Sequence, residues 1–144
     1  MGFSVSGSAA IVFIAAFVSV GILYSGAYNG YEDVTAAQEN QADRALDQRN
    51  TDIMIATTSH NDSNGNLTVE VLNQGSTTLT VSETDVVVDG VYQASWASSN
   101  VSGTSGTDIW APGETLNVTL SGFTQQPQRV KVVSGTGVSA TEVL

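Results

Sequence analysis

Cysteine is absent from the 144 residues, and histidine and lysine occur once each, as His60 and Lys131. Without cysteine there are no disulfides and no thiol chemistry, and a lone imidazole cannot build a Cys/His zinc site. Arg44, Arg49, Arg129 and Lys131 are the only strong bases, against 14 carboxylates, for a net charge of −10. So few cations cannot displace the counterions of a phosphate backbone, which excludes nucleic acid as a partner. Charge of either sign is missing from residues 1–31; the first charged side chain is Glu32. A mean hydropathy of +0.05 beside a pI near 4.1 therefore averages two unlike polymers joined end to end.

The uncharged stretch has an apolar heart, Ala9-Ala10-Ile11-Val12-Phe13-Ile14-Ala15-Ala16-Phe17-Val18 followed by Val20-Gly21-Ile22-Leu23-Tyr24. Phe3 to Tyr24 would make a helix about 33 Å long, which matches the hydrocarbon thickness of a bilayer. Tyr24, Tyr28 and Tyr31 follow at helical spacing, where an interfacial aromatic belt sits. A secretory signal would need a basic n-region and a shorter core. A buried core helix would need more protein around it than the remaining chain supplies. The pattern predicts a retained transmembrane anchor over residues 1–25 in contact with membrane lipid. A filament subunit, whose apolar N-terminal helix packs among its neighbours, is the alternative.

Residues 26–50 read as a helical stalk. They hold no proline, are rich in Ala, Gln, Glu and Arg, and carry a thin stripe at Tyr31, Val34, Ala37 or Gln38, Ala42, Ala45 and Leu46. Glu32 and Asp33 near its start and Arg44 and Arg49 near its end suit a helix dipole. From residue 51 to 144 the period changes to two. Leu67, Val69 and Val71 alternate with Thr68 and Glu70, and Leu116, Val118 and Leu120 with Asn117 and Thr119. Further strands are predicted at 53–57, 78–81, 86–88, 91–96, 129–133 and 138–143. Asp89-Gly90 is a two-residue hairpin signal, Asn64-Gly65, Gln74-Gly75, Pro112-Gly113 and Ser134-Gly135 mark other turns, and Gly103–Gly106 reads as a flexible loop. The expectation is a mainly β protein: an N-terminal transmembrane helix with a helical stalk, then an immunoglobulin-like antiparallel β-sandwich.

Four N-x-S/T sequons, at Asn61, Asn66, Asn100 and Asn117, mark possible N-glycosylation sites and favour an exterior position for residues 51–144. The positive-inside rule is nearly silent, since no Lys or Arg flanks the apolar segment closely. One-signed charge on a surface of Asp, Ser, Thr and Asn is tolerated best where salt screens it, so a saline habitat is expected.

Chemistry is sparse. Asp62-Ser63-Asn64-Gly65 lacks a ligand position of a calcium loop and Glu70 falls at the wrong offset, so Asx-Gly turn chemistry is the better account. His60 stands among turn residues and reads as an exposed loop histidine rather than a catalytic base. No phosphate-binding glycine motif occurs, and no cofactor, metal or catalytic residue is expected. Trp96, Trp110 and Tyr92 are the aromatics available to a ligand-binding sandwich, a further rival reading.

The run from Ser6-Gly7-Ser8 through Ile11-Val12-Phe13-Ile14-Ala15-Ala16-Phe17, with Asp43-Arg44-Ala45-Leu46-Asp47-Gln48 downstream, resembles the FlaF (ArlF) accessory-protein family of the archaeal flagellum, or archaellum, in its halophile branch. The Ile-Val-Phe-Ile-Ala core is also similar to the start of archaellins, the filament subunits. The FlaF resemblance implies a non-enzymatic, stator-like motor component. Its β head would bind the surface-layer protein outside the cell, beside a FlaG-type sister protein, with a homodimer through an exposed strand edge as a further possibility. Archaellins and archaeal pilins resemble one another in a basic leader; here only Met1-Gly2 precedes Phe3, a departure that points to a retained anchor.

Overall fold

The structure, a computed structural model, describes residues 2–144, with side chains from Ser6 onward. What precedes, including Met1 and the question of a cut after Gly2, lies partly outside the described residues. The chain forms two compact units, Met1–Asp43 and Arg44–Leu144.

A single helix, α1, runs from Gly2 to Asn50 without a break. It contains a segment long and apolar enough to cross a membrane. Within the first unit Ile11, Val12, Phe13, Ile14, Phe17 and Val18 are all exposed. Because several of these are consecutive, the helix is apolar on every side rather than along one stripe. Ser19 and Ser25 return their hydroxyls to the carbonyls of Ala15 (2.8 Å) and Ile22 (3.0 Å), so neither needs a partner from outside. The rings of Tyr24 and Tyr28 stack at 6.3 Å.

The second unit is an antiparallel β-sandwich. Its strands are β1 (Ile53–Asn61), β2 (Asn66–Asn73), β3 (Leu79–Thr80), β4 (Asp85–Val88), β5 (Val91–Tyr92), β6 (Ser98–Val101), β7 (Thr104–Ser105), β8 (Ile109–Trp110), β9 (Thr115–Leu120), β10 (Arg129–Val133) and β11 (Ser139–Val143). One sheet has the order β1-β2-β9-β6-β7, the other β11-β10-β4-β5, and β3 pairs with β8. The expected alternation is observed. Leu67, Val69 and Val71 of β2 and Leu116, Val118 and Leu120 of β9 point inward against Val86, Val88, Val130 and Val132, all at most 2 % exposed. Trp110 fills the core at 0 % exposure and donates its indole N–H to the Glu114 carbonyl at 2.9 Å.

The last helical turn belongs to this sandwich. Ser76 N–H donates to the Asn50 carbonyl (2.8 Å), Gln74 and Gly75 N–H to that of Asp52 (2.8 and 2.9 Å), and the Thr51 hydroxyl to that of Asp47 (2.7 Å). Carbonyls that would end a helix unpaired are satisfied by the β2–β3 turn.

Three local expectations differ from the structure. The strand predicted over 91–96 stops at Tyr92, because from Ala94 the chain crosses from one sheet to the other. Ser98–Val101 is a strand, unanticipated because only Val101 turns fully inward. Gly103–Gly106 is no flexible loop: Val101 pairs with Thr104 across a Ser102-Gly103 turn whose φ angles are 48° and 86°.

Candidate interaction surfaces

The end of the sandwich remote from Arg44–Asn50 is built from the 61–66 and 121–129 loops and the Asp89-Gly90 turn. The last is a two-residue hairpin, as anticipated, with Val88 opposite Val91 and φ angles of 48° and 85°. In the first loop Asn61 Oδ1 accepts Ser63 N–H (2.9 Å) and Asn64 Oδ1 accepts Asn66 N–H (3.0 Å). These are Asx turns; of the side chains that resembled part of a calcium loop, Asn64 is engaged with the local backbone, Asp62 with His60 and Glu70 with Asn117.

His60 corrects a prediction. Its side chain is 3 % exposed rather than solvated, because β1 continues through it to Asn61. Nε2 lies 3.1 Å from the Phe123 carbonyl and Nδ1 3.0 Å from Asp62 Oδ1, so the ring ties the two loops together. Phe123 N–H in turn donates to the Gly65 carbonyl at 3.0 Å. Nothing in the spacing of the sequence signals this contact across 63 residues. Among the described residues His60–Asp62 is the only contact between a basic side chain and a carboxylate; no Lys or Arg side chain reaches one.

A polar cleft of about 790 Å³ opens at this end, lined among others by Asp89, Phe123, Gln125, Gln126, Gln128 and Arg129. A second, of about 470 Å³, lies where β5 leaves its sheet and includes Tyr92, Trp96, Asp85 and Asp108. Asp108 is committed there: it accepts the backbone N–H (2.7 Å) and the hydroxyl (2.9 Å) of Ser82. Of the three aromatics considered for a ligand site, Tyr92 and Trp96 line this cleft and Trp110 does not, being core.

All four sequons fall on the five-stranded sheet, in different settings. Asn61 ends an edge strand and is exposed; Asn66, Asn100 and Asn117 are half-buried. Asn100 pairs with Asn117 across β6 and β9, Asn100 Oδ1 accepts Gly103 N–H (3.1 Å), and Asn117 Nδ2 donates to Glu70 Oε1 (3.0 Å).

The archaeal-type flagellin family model matches residues 2–143, the apolar helix and the acidic sandwich together. The chain belongs to the archaeal-type flagellin family. Membership makes it an archaellum-related protein, and a structural one by kind. The FlaF resemblance within that group is a finer matter. Among solved structures the chain is similar to the archaellum periplasmic stator protein FlaG from Sulfolobus acidocaldarius, at 16 % identity and a TM-score of 0.47, covering 65 % of this chain and 99 % of that one. It is also similar to the archaellum periplasmic stator protein complex of FlaF and FlaG from the same organism, at 15 % identity and a TM-score of 0.44, covering 64 % and 87 %. No curated protein matches.

Proposed function

We propose that this protein is a membrane-anchored, non-enzymatic accessory part of the archaellum motor, FlaF-like, whose β-sandwich stands outside the cell and binds the surface-layer protein as a fixed support for rotation. The observation that carries the reading is the charge step within one unbroken helix. Residues 2–31 carry no charge over about 45 Å, whereas residues 32–50 carry seven charged side chains over about 28 Å. Moving an unpaired carboxylate out of water costs several kcal/mol, so lipid contact ends near Glu32 and the rest of the helix belongs in water. The sandwich has its own core and needs no second copy to bury it. Its single imidazole is held by Phe123 and Asp62, and among the described residues no serine or threonine hydroxyl is bonded to it to serve as a nucleophile. A binding part of this kind requires exposed polar surface and no reacting group. A FlaG-type sister protein, a homodimer and a saline habitat belong to the same reading.

Family membership across the helix and sandwich together also favours a second reading, a filament subunit polymerising through its N-terminal helix. One experiment separates the two. Native membranes and sheared filaments are probed for the full chain, and the detergent-solubilised chain, placed in nanodiscs, is tested for binding to purified surface-layer protein. Retention in the membrane together with saturable binding supports the accessory role. Recovery in sheared filaments in stoichiometric amount would replace it with the subunit role.

A further inference from the structure

We propose that Asn61, alone of the four sequon asparagines, carries an N-linked glycan. This rests on the extracellular placement of the sandwich proposed above. A sequon accepts sugar only where a transferase can reach the amide nitrogen and the hydroxyl two residues on. In Asn61-Asp62-Ser63 all three residues are exposed, and they leave the sheet at the end of an edge strand. The Asn61 side chain is exposed, its Oδ1 accepts Ser63 N–H, and among the described residues its Nδ2 donates to no protein acceptor.

The other three are closed by the sheet. Asn66-Leu67-Thr68 enters β2, with Leu67 at 0 % exposure and Thr68 paired with Ser59 on one side and Thr119 on the other. Asn117-Val118-Thr119 is in β9, hydrogen-bonded on both edges, with its Nδ2 given to Glu70. Asn100-Val101-Ser102 turns Val101 into the core, and its hydroxyl residue has a φ of 48° and takes up Thr115 N–H (3.3 Å). Each would have to come away from its sheet to be modified.

The donor is a saccharide activated as a lipid-linked phosphate ester. Asn61 Nδ2 bonds to its anomeric carbon, the carbon–oxygen bond to phosphate breaks, the lipid phosphate leaves with the electron pair, and one amide proton passes to a base of the transferase. The full chain purified from its native membranes is mapped by site-resolved glycopeptide mass spectrometry. Alongside it, Asn61→Gln and Ser63→Ala variants are compared by intact mass. The expected result is glycan at Asn61 with bare Asn66, Asn100 and Asn117, and complete loss of the added mass in both variants. Glycan that survives in Asn61→Gln, or a bare Asn61 in the wild-type chain, overturns the inference. As the chain has no cysteine, a Thr124→Cys variant labelled by an impermeant maleimide on intact cells reports placement. Labelling with a bare Asn61 rejects the glycan alone; labelling only after lysis rejects the extracellular reading and the glycan with it.

Discussion

Asp89 and Arg129 hold each other twice: Asp89 N–H donates to the Arg129 carbonyl at 2.9 Å, and Asp89 Oδ1 accepts the Arg129 backbone N–H at 2.8 Å. The same carboxylate also accepts Gln128 N–H at 3.0 Å. The hairpin turn at one end of β4 therefore pins the start of β10 and the loop that lines the larger cleft. Charge-assisted bonds of this kind are stronger than neutral ones. Replacing Asp89→Ala removes the acceptors and places an alanine at a φ of 48°. The expected cost is about 2 kcal/mol, with Asp89→Asn losing about half as much because it keeps one acceptor and tolerates the left-handed conformation. Urea unfolding of the detergent-solubilised chain, followed by tryptophan fluorescence, measures both.

Gly75 faces the strand entry so closely that no side chain fits. A Cβ built there would lie 2.6 Å from the Asp52 nitrogen and 3.0 Å from the Thr51 Cα. These neighbours are backbone and cannot swing aside. Gly75→Ala is expected to destabilise the sandwich by about 3 kcal/mol, at the upper end of overpacking effects, and to release the bonds from Ser76 and Thr77 to the Asn50 carbonyl. Amide hydrogen exchange of Ser76 and Thr77 reports that release separately from global unfolding.

The elements that were readable from sequence are those whose apolar residues repeat locally. The uncharged run before Glu32, the alternation of Leu67–Val71 and Leu116–Leu120, and the Asp89-Gly90 turn each carry their signal within a few neighbours. β6 carried none, since of Ser98-Ser99-Asn100-Val101 only one residue is apolar, and its pairing comes from β9. Trp110 and Ile109 are adjacent, and alternation alone does not say which is core; the structure buries the tryptophan and leaves Ile109 65 % exposed. The surfaces were less legible still. The sequons are local motifs, but their accessibility depends on register partners such as Glu70, 47 residues from Asn117. His60 was misread because its two partners fix a ring that the turn-rich neighbourhood alone leaves free.

Residues 51–144 hold nine carboxylates and two strong bases, and no carboxylate among the described residues is paired with Lys or Arg. Their repulsion acts through solvent and is screened by salt. The Debye length falls from about 10 Å at 0.1 M to about 3 Å at 1 M. Melting of the full chain in a nonionic detergent is therefore expected to rise by roughly 5–10 °C between 0.1 M and 1 M KCl, or about 1–2 kcal/mol for a domain of this size. A flat Tm over that range would mean that the charges are too dispersed to matter, and the saline-habitat reading would lose its physical basis.

Asn117 and Glu70 face each other from neighbouring central strands, and the amide donates at 3.0 Å to the carboxylate. Asn117→Asp keeps the shape but sets two carboxylates opposite each other at half-buried positions. Near neutral pH the hydrogen bond is lost and replaced by repulsion, for an expected cost of about 1–2 kcal/mol. Protonating one of the pair restores a donor between the two oxygens. The deficit relative to the unmodified chain should therefore shrink as pH falls from 7 to 4, opposite in sign to ordinary acid destabilisation. Urea midpoints of the two proteins at both pH values, in protein made in a host without N-glycosylation, give the difference directly. If the deficit is unchanged at pH 4, the two side chains do not meet across β2 and β9, and the closure of the Asn117 sequon loses its basis.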